Sequence, residues 1–177
     1  MNDYERPLPR LYCFKPELIE SNFATNIRMA AYDHLGIYNS IKYVPRMYLD
    51  DDNIICSLDL IPNIRPLYGV YRPETDEVAV SFKSFIGLDD MLEFCRILVM
   101  LHELYHVYQF EKLNIHFNSS EVLNRSQPTE RSANFFAYSF YLAYTTGTRI
   151  DAISDPGIVT IEDATKALIK ALAPDKC

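Results

Sequence analysis

Residues 97–108 read Ile-Leu-Val-Met-Leu-His-Glu-Leu-Tyr-His-Val-Tyr, apolar or aromatic at every position except His102, Glu103 and His106. A helix that is apolar nearly all round belongs inside a fold. This segment therefore predicts a central helix that the rest of the chain must wrap. Ionisable groups are costly in such a place unless each has a partner. Two histidines four residues apart lie on one helix face, one turn above the other, so both imidazoles can reach a single metal ion. Glu103 is not a ligand. It sits beside the pair, where it can take a proton from a water that the metal activates. The competing reading is a core histidine pair satisfied by backbone carbonyls, with Glu103 paired to an arginine.

A catalytic zinc usually has three protein ligands and keeps one position open. A third histidine continuing the first helix as His-x-x-Gly-x-x-His fails, because Gln109 and Lys112 occupy the positions required. His116 follows Leu113-Asn114-Ile115 in a loop-like stretch and reads as a solvated loop histidine. A carboxylate from a second helix is the better candidate. Pro128 can open that helix and Gly147 can close it. Glu130 falls in its first turn, and Asn134 lies one turn later on the same face. We expect Glu130 to bind the metal and Asn134 to hold a ligand histidine by its other ring nitrogen. Ala133 and Ala137 are small enough to let the two helices approach closely. Taken alone, Glu130 is an ordinary acidic residue at a helix N-terminus.

His102-Glu103-Leu104-Tyr105-His106 is the HExxH signature of zinc peptidases. Together with Glu130-Arg131-Ser132-Ala133-Asn134-Phe135-Phe136-Ala137, it resembles the ImmA/IrrE group of zinc metallopeptidases. That group also has a short hairpin before the first helix, with a glycine in its first strand; Leu67-Tyr68-Gly69-Val70-Tyr71 and Val78-Ala79-Val80-Ser81-Phe82 fit this description. The resemblance covers about residues 66–144. The chain departs from the family with Tyr105 in place of a glycine, Ser132 in place of an acidic residue, and Ser139-Phe140-Tyr141-Leu142-Ala143 in place of a Leu-Met-Pro ending. The resemblance implies a zincin-like α+β domain, in which a small antiparallel or mixed sheet packs on the buried HExxH helix and on a second, ligand-bearing helix. It implies one Zn²⁺ per chain with a glutamate third ligand, as in gluzincins, and regulated cleavage of a repressor-type protein.

The 177 residues suit a single domain, 1–177, with an irregular N-terminal arm over 1–14. Hydrophobic residues make up 49% of the chain and aromatics 13%, so it is globular rather than disordered. A net charge of −7 argues against a general nucleic-acid or anionic-membrane surface. Cys13, Cys56, Cys95 and Cys177 form no C-x-x-C pair and suggest no disulfide framework; Cys95 reads as a small core residue. The polar N-terminus lacks a signal peptide, and no apolar run reaches membrane-spanning length. We therefore expect a cytoplasmic protein.

Residues 16–34 carry a helical pattern that Gly36 can stop. Ile41–Val44 and Met47–Leu49 are strand-like but split by Pro45, and Asp50–Asn53 reads as a solvated turn rather than a calcium loop. The hairpin has 73–77 as its connection. Its second strand, Val78–Phe82, is a candidate edge strand, which would let Val78 and Val80 bind an extended substrate by strand addition; an inner strand is the equal alternative. Asp89 or Asp90 begins the motif helix, which runs to about Lys112. Residues 117–126 and 148–159 read as loops, the latter with a Pro156-Gly157 turn. Ile161–Leu172 reads as an amphipathic helix capped near Thr160.

These residues predict metal-assisted peptide hydrolysis. His102, His106 and Glu130 hold zinc, Glu103 acts as general base, and Tyr105, Tyr138, Tyr141 or Tyr144 could supply a second electrophile. The partner expected is a protein or peptide substrate, with neither nucleic acid nor membrane. A zincin-fold interaction module that cleaves nothing, or a hydrolase of a non-peptide bond, are the alternatives. Manganese or iron also suits two histidines and a carboxylate.

Overall fold

The computed structural model describes residues 20–37, 41–46, 68–81, 92–115 and 127–173. Within them lie helix α1 (Asn22–Leu35), strands β1 (Lys42–Arg46), β2 (Gly69–Arg72) and β3 (Glu77–Ser81), then α2 (Glu93–Glu111), α3 (Gln127–Thr146), a single 3-10 turn (Ile150–Ala152) and α4 (Ile161–Leu172). The fold class is α+β, with a three-stranded mixed sheet and four helices among the described residues. None of these helices is long and apolar enough to cross a membrane. The arm over 1–14, Met47–Asn53, Asp89, Asp90, His116, the 117–126 connection and Cys13, Cys56 and Cys177 lie outside the described residues.

Helix α1 starts where the Ser21 hydroxyl accepts from the Ala24 N–H and stops where Gly36 turns left-handed at φ 69°. Only glycine takes that conformation at no steric cost. Ile37 then folds back into the core and donates its N–H to the Tyr32 carbonyl at 3.0 Å. Arg28 ties α1 to the sheet: it pairs with Glu20 at 2.7 Å and lies 4.6 Å over the Tyr43 ring.

Two strand expectations need correction. Pro45 does not split β1, which runs through it from Lys42 to Arg46. Among the described strands β1 pairs with β3 alone, and an edge strand tolerates a residue without an N–H. The strand order is β1-β3-β2, parallel on one side of β3 and antiparallel on the other. β3 is therefore the inner strand. Val78 and Val80 are fully buried with both backbone edges in ladders, so they do not receive a substrate strand. The unbroken apolar run Val78-Ala79-Val80 is what burial on both faces produces. The hairpin closes through Pro73–Asp76, with Asp76 at φ 51°, and Arg72 pairs with Glu77 across its base at 3.6 Å.

Helix α2 is the axle of the fold. Residues Ile97–Leu104 are buried without a break, packed between the sheet on one side and α1, α3 and α4 on the others. Its described start is Glu93, with no side-chain cap at Leu92, and it ends at Glu111 with Lys112 as its C-cap. Cys95 is half-buried rather than a core residue. Ala133 and Ala137 are fully buried where α3 meets α2, as their small side chains allow. Gly147 ends α3 at φ 73°, and α4 opens with a capping box between Thr160 and Asp163.

Candidate metal centre

Helices α2 and α3 bring His102, His106 and Glu130 together, with one ligand atom of each within 4.8 Å of the others. The two Nε2 atoms are 2.9 Å apart, and each lies 3.1 Å from a carboxylate oxygen of Glu130. Donors spaced about 3 Å apart can all sit about 2 Å from one ion, the ordinary Zn–N and Zn–O distance. The two imidazoles meet edge to face, 87° between planes, so their lone pairs converge rather than stack.

The opposite nitrogens settle which atoms carry protons. His102 Nδ1 is 2.6 Å from Asn134 Oδ1, and His106 Nδ1 is 2.7 Å from Gln109 Oε1. Asn134 gives its amide N–H to the Val159 carbonyl at 2.8 Å, and Gln109 gives its own to the Thr129 carbonyl at 3.0 Å. Backbone carbonyls only accept, so each carboxamide must turn its NH₂ to the carbonyl and its oxygen to the histidine. A carboxamide oxygen also only accepts. Both histidines therefore carry a proton on Nδ1, and in the neutral imidazole this leaves Nε2 as the lone pair that a metal takes. Two such lone pairs and a carboxylate aimed at one point repel one another unless a cation or a proton lies among them. This donor set fits a divalent metal.

His106 is fully buried, and Asn134 and Gln109 nearly so, while the Glu130 side chain is 32% exposed and marks the solvent side. Burial by itself pushes the Glu130 carboxyl up. Where His102 and His106 are protonated, their hydrogen bonds and charge outweigh this and hold it well below the ordinary carboxylate range, the part that a bound cation would otherwise play.

Glu103 stands beside the triad rather than in it, its Oε1 3.9 Å from His102 Nε2. Room for it comes from Gly69 of β2. A Cβ there would lie 2.6 Å from Val99 Cγ1, 2.9 Å from Glu103 Cγ and 3.2 Å from Glu103 Oε1. Glycine thus lets the strand pass directly over the buried glutamate.

The expected residues His102, Glu103, His106, Glu130 and Asn134 all meet at this centre. Each candidate tyrosine makes a ring contact with another aromatic side chain. Tyr105 stacks on Phe136 at 4.8 Å, Tyr138 packs on Phe135 at 6.3 Å, and Tyr141 meets Phe94 edge-on at 5.4 Å. Tyr144 lies 5.9 Å from Phe23. Gln109 was missed as a partner of His106. Its signal was a polar residue one turn beyond the second histidine in a stretch that otherwise reads as core.

Comparison of the chain with protein-family models, with curated proteins and with solved structures gives no match.

Proposed function

We propose that the chain is a zinc-dependent metallopeptidase of the ImmA/IrrE type. One observation carries this reading: three side chains bring metal-ligating atoms to a common point, each histidine with its Nδ1 held by a carboxamide oxygen and its Nε2 turned inward, with a buried glutamate alongside. His102, His106 and Glu130 hold the ion, which when bound supplies Lewis acidity that lowers the pKa of a water and polarises a carbonyl. Glu103 accepts the proton of the attacking water and returns it to the leaving amine. Its burial beside Gly69 limits its hydration and fixes its direction. A site that only held a structural ion would have no chemical use for a carboxylate in that place.

The test joins metal content to cleavage. Purified wild-type protein carries about one zinc per chain, and Glu130→Ala carries less. Wild-type protein cleaves members of a random peptide mixture read by mass spectrometry, while Glu103→Gln retains zinc and cleaves none. Cleavage that survives Glu103→Gln refutes the mechanism. Failure of the wild-type protein to take up zinc at neutral pH refutes the metal centre.

A further inference from the structure

We infer that Gln109 is a positioning residue that couples the second metal ligand to the third. This rests on the metal-binding reading above and adds to it a route by which one side chain sets two ligands at once. Gln109 lies three residues after His106 on α2, hence on the same helix face. It is 2% exposed. A carboxamide buried that far must spend both its acceptor and its donors inside the protein. Its oxygen accepts from His106 Nδ1–H at 2.7 Å, and its amide donates to the Thr129 carbonyl at 3.0 Å.

Thr129 immediately precedes Glu130 in the first turn of α3. The end of a helix frays unless something outside the helix holds it. Here the holder is the side chain that also orients His106. The Gln109 oxygen keeps a proton on His106 Nδ1 and so turns Nε2 toward the other ligands, and its nitrogen fixes where the turn bearing Glu130 stands. Glu130 is the most exposed of the three ligands, so it gains most from an anchored backbone.

Asn134 differs in what it joins. It sits on α3, grips His102, and passes its second bond to Val159, beyond the ligand set. Gln109 instead passes its second bond to Thr129, the residue directly before a ligand. A shorter asparagine at 109 would lose one methylene of reach, and a glutamate would present only acceptors to the Thr129 carbonyl.

The test uses the full chain, Zn²⁺ in competition with a chelator, and ¹H–¹⁵N correlation of the histidine rings in metal-free and zinc-loaded protein. Gln109→Met keeps the length of the side chain and removes both hydrogen bonds. We expect it to weaken zinc binding by about 10–100-fold. The His106 Nδ1–H signal should also be lost from the metal-free protein, a readout that a packing role would not move. Glu130→Ala should cost less affinity in the Gln109→Met background than in wild type, because the two act together. Gln109→Glu retains an acceptor for His106 and lacks the donor. It should keep the Nδ1–H signal while losing the coupling to Glu130, and it carries the test if Gln109→Met does not fold. Unchanged zinc affinity and an unchanged His106 signal in Gln109→Met, or strict additivity with Glu130→Ala, overturn the inference. A wild-type protein that binds no zinc is a different result: it refutes the proposed function and this inference together, before any variant is compared.

Discussion

Replacing Gly69 by alanine tests how Glu103, the proposed general base, is seated. The added methyl would meet Val99 Cγ1 at 2.6 Å and Glu103 Cγ at 2.9 Å. Both neighbours are buried, at 6% and 5% exposure, so neither can swing into solvent. The strand cannot lift freely either: Gly69 is in register with Val80, and Ser81 donates its N–H to the Tyr68 carbonyl at 2.8 Å. Overpacking of this kind costs about 1–3 kcal/mol. Removing a glycine from the unfolded chain returns about 0.4–1 kcal/mol. The net loss then centres on about 1.3 kcal/mol, with about 2.6 kcal/mol as its upper bound, which lowers Tm by roughly 3–5 °C at the centre and by no more than about 10 °C for a chain of this size. Val99→Ala relieves the closest clash, so the double variant Gly69→Ala/Val99→Ala should be more stable than the sum of the single losses by about 1 kcal/mol. Thermal unfolding of the four metal-free proteins measures this directly. Zinc affinity should stay within about threefold of wild type, since Gly69 touches no ligand, whereas a base displaced by about 1 Å should lower turnover by on the order of a hundredfold. A Gly69→Ala protein as stable as wild type, with effects additive to those of Val99→Ala, would refute the close passage of β2 over Glu103.

Three further outcomes are expected. Asn134→Ala should weaken zinc binding about 10–100-fold by freeing His102 to rotate, as read by chelator competition; unchanged affinity would remove Asn134 from the centre. Zinc at a hundred times its Kd should stabilise the folded chain by about 2.7 kcal/mol, an effect reversed by a chelator and abolished in His106→Ala, as followed by Tm. Asp163, which accepts from the backbone N–H groups of Thr160 and Val159, has its carboxyl held below the ordinary aspartate range. A lowered folded-state pKa contributes stability that is complete above the unfolded value and is lost as pH falls through the folded one. The advantage of wild type over Asp163→Ala in chemical denaturation should therefore be full at neutral pH and narrow in acid; a pH-independent gap would show that the charge of Asp163 contributes nothing.

What could be read from the sequence divides along physical lines. Local chemistry was legible. Gly36, Gly147 and Thr160 end or start helices because of backbone conformations and capping bonds that involve only near neighbours, and α4 has the bounds its pattern predicts. The buried course of α2 followed from an apolar run with no polar face. Glu130 and Asn134 were legible because their spacing on one helix has a chemical use. Strand order was not, since it depends on which segments meet across the fold. Val78-Ala79-Val80 is equally apolar whether a neighbour lies on one side or both, and only the pairing with β1 made β3 the inner strand. Pro45 was misjudged for the same reason, because the meaning of a missing N–H depends on whether a neighbour needs it. The partnership of Gln109 with Thr129 spans 20 positions and leaves no mark in either local pattern.

The bond from Asn134 to the Val159 carbonyl bears on when the centre can assemble during synthesis. Chains emerge from the ribosome N-terminus first. The HExxH helix is complete long before Val159 has been made, and Asp163, which accepts from the Val159 N–H at 3.1 Å, follows later still. Until that stretch arrives, Asn134 has no carbonyl to orient its amide, and His102 is free to present either nitrogen. The geometry of the candidate centre is thus incomplete until Val159 has been made. A nascent chain that stops short of Val159 would carry the signature motif without the bond that orients Asn134.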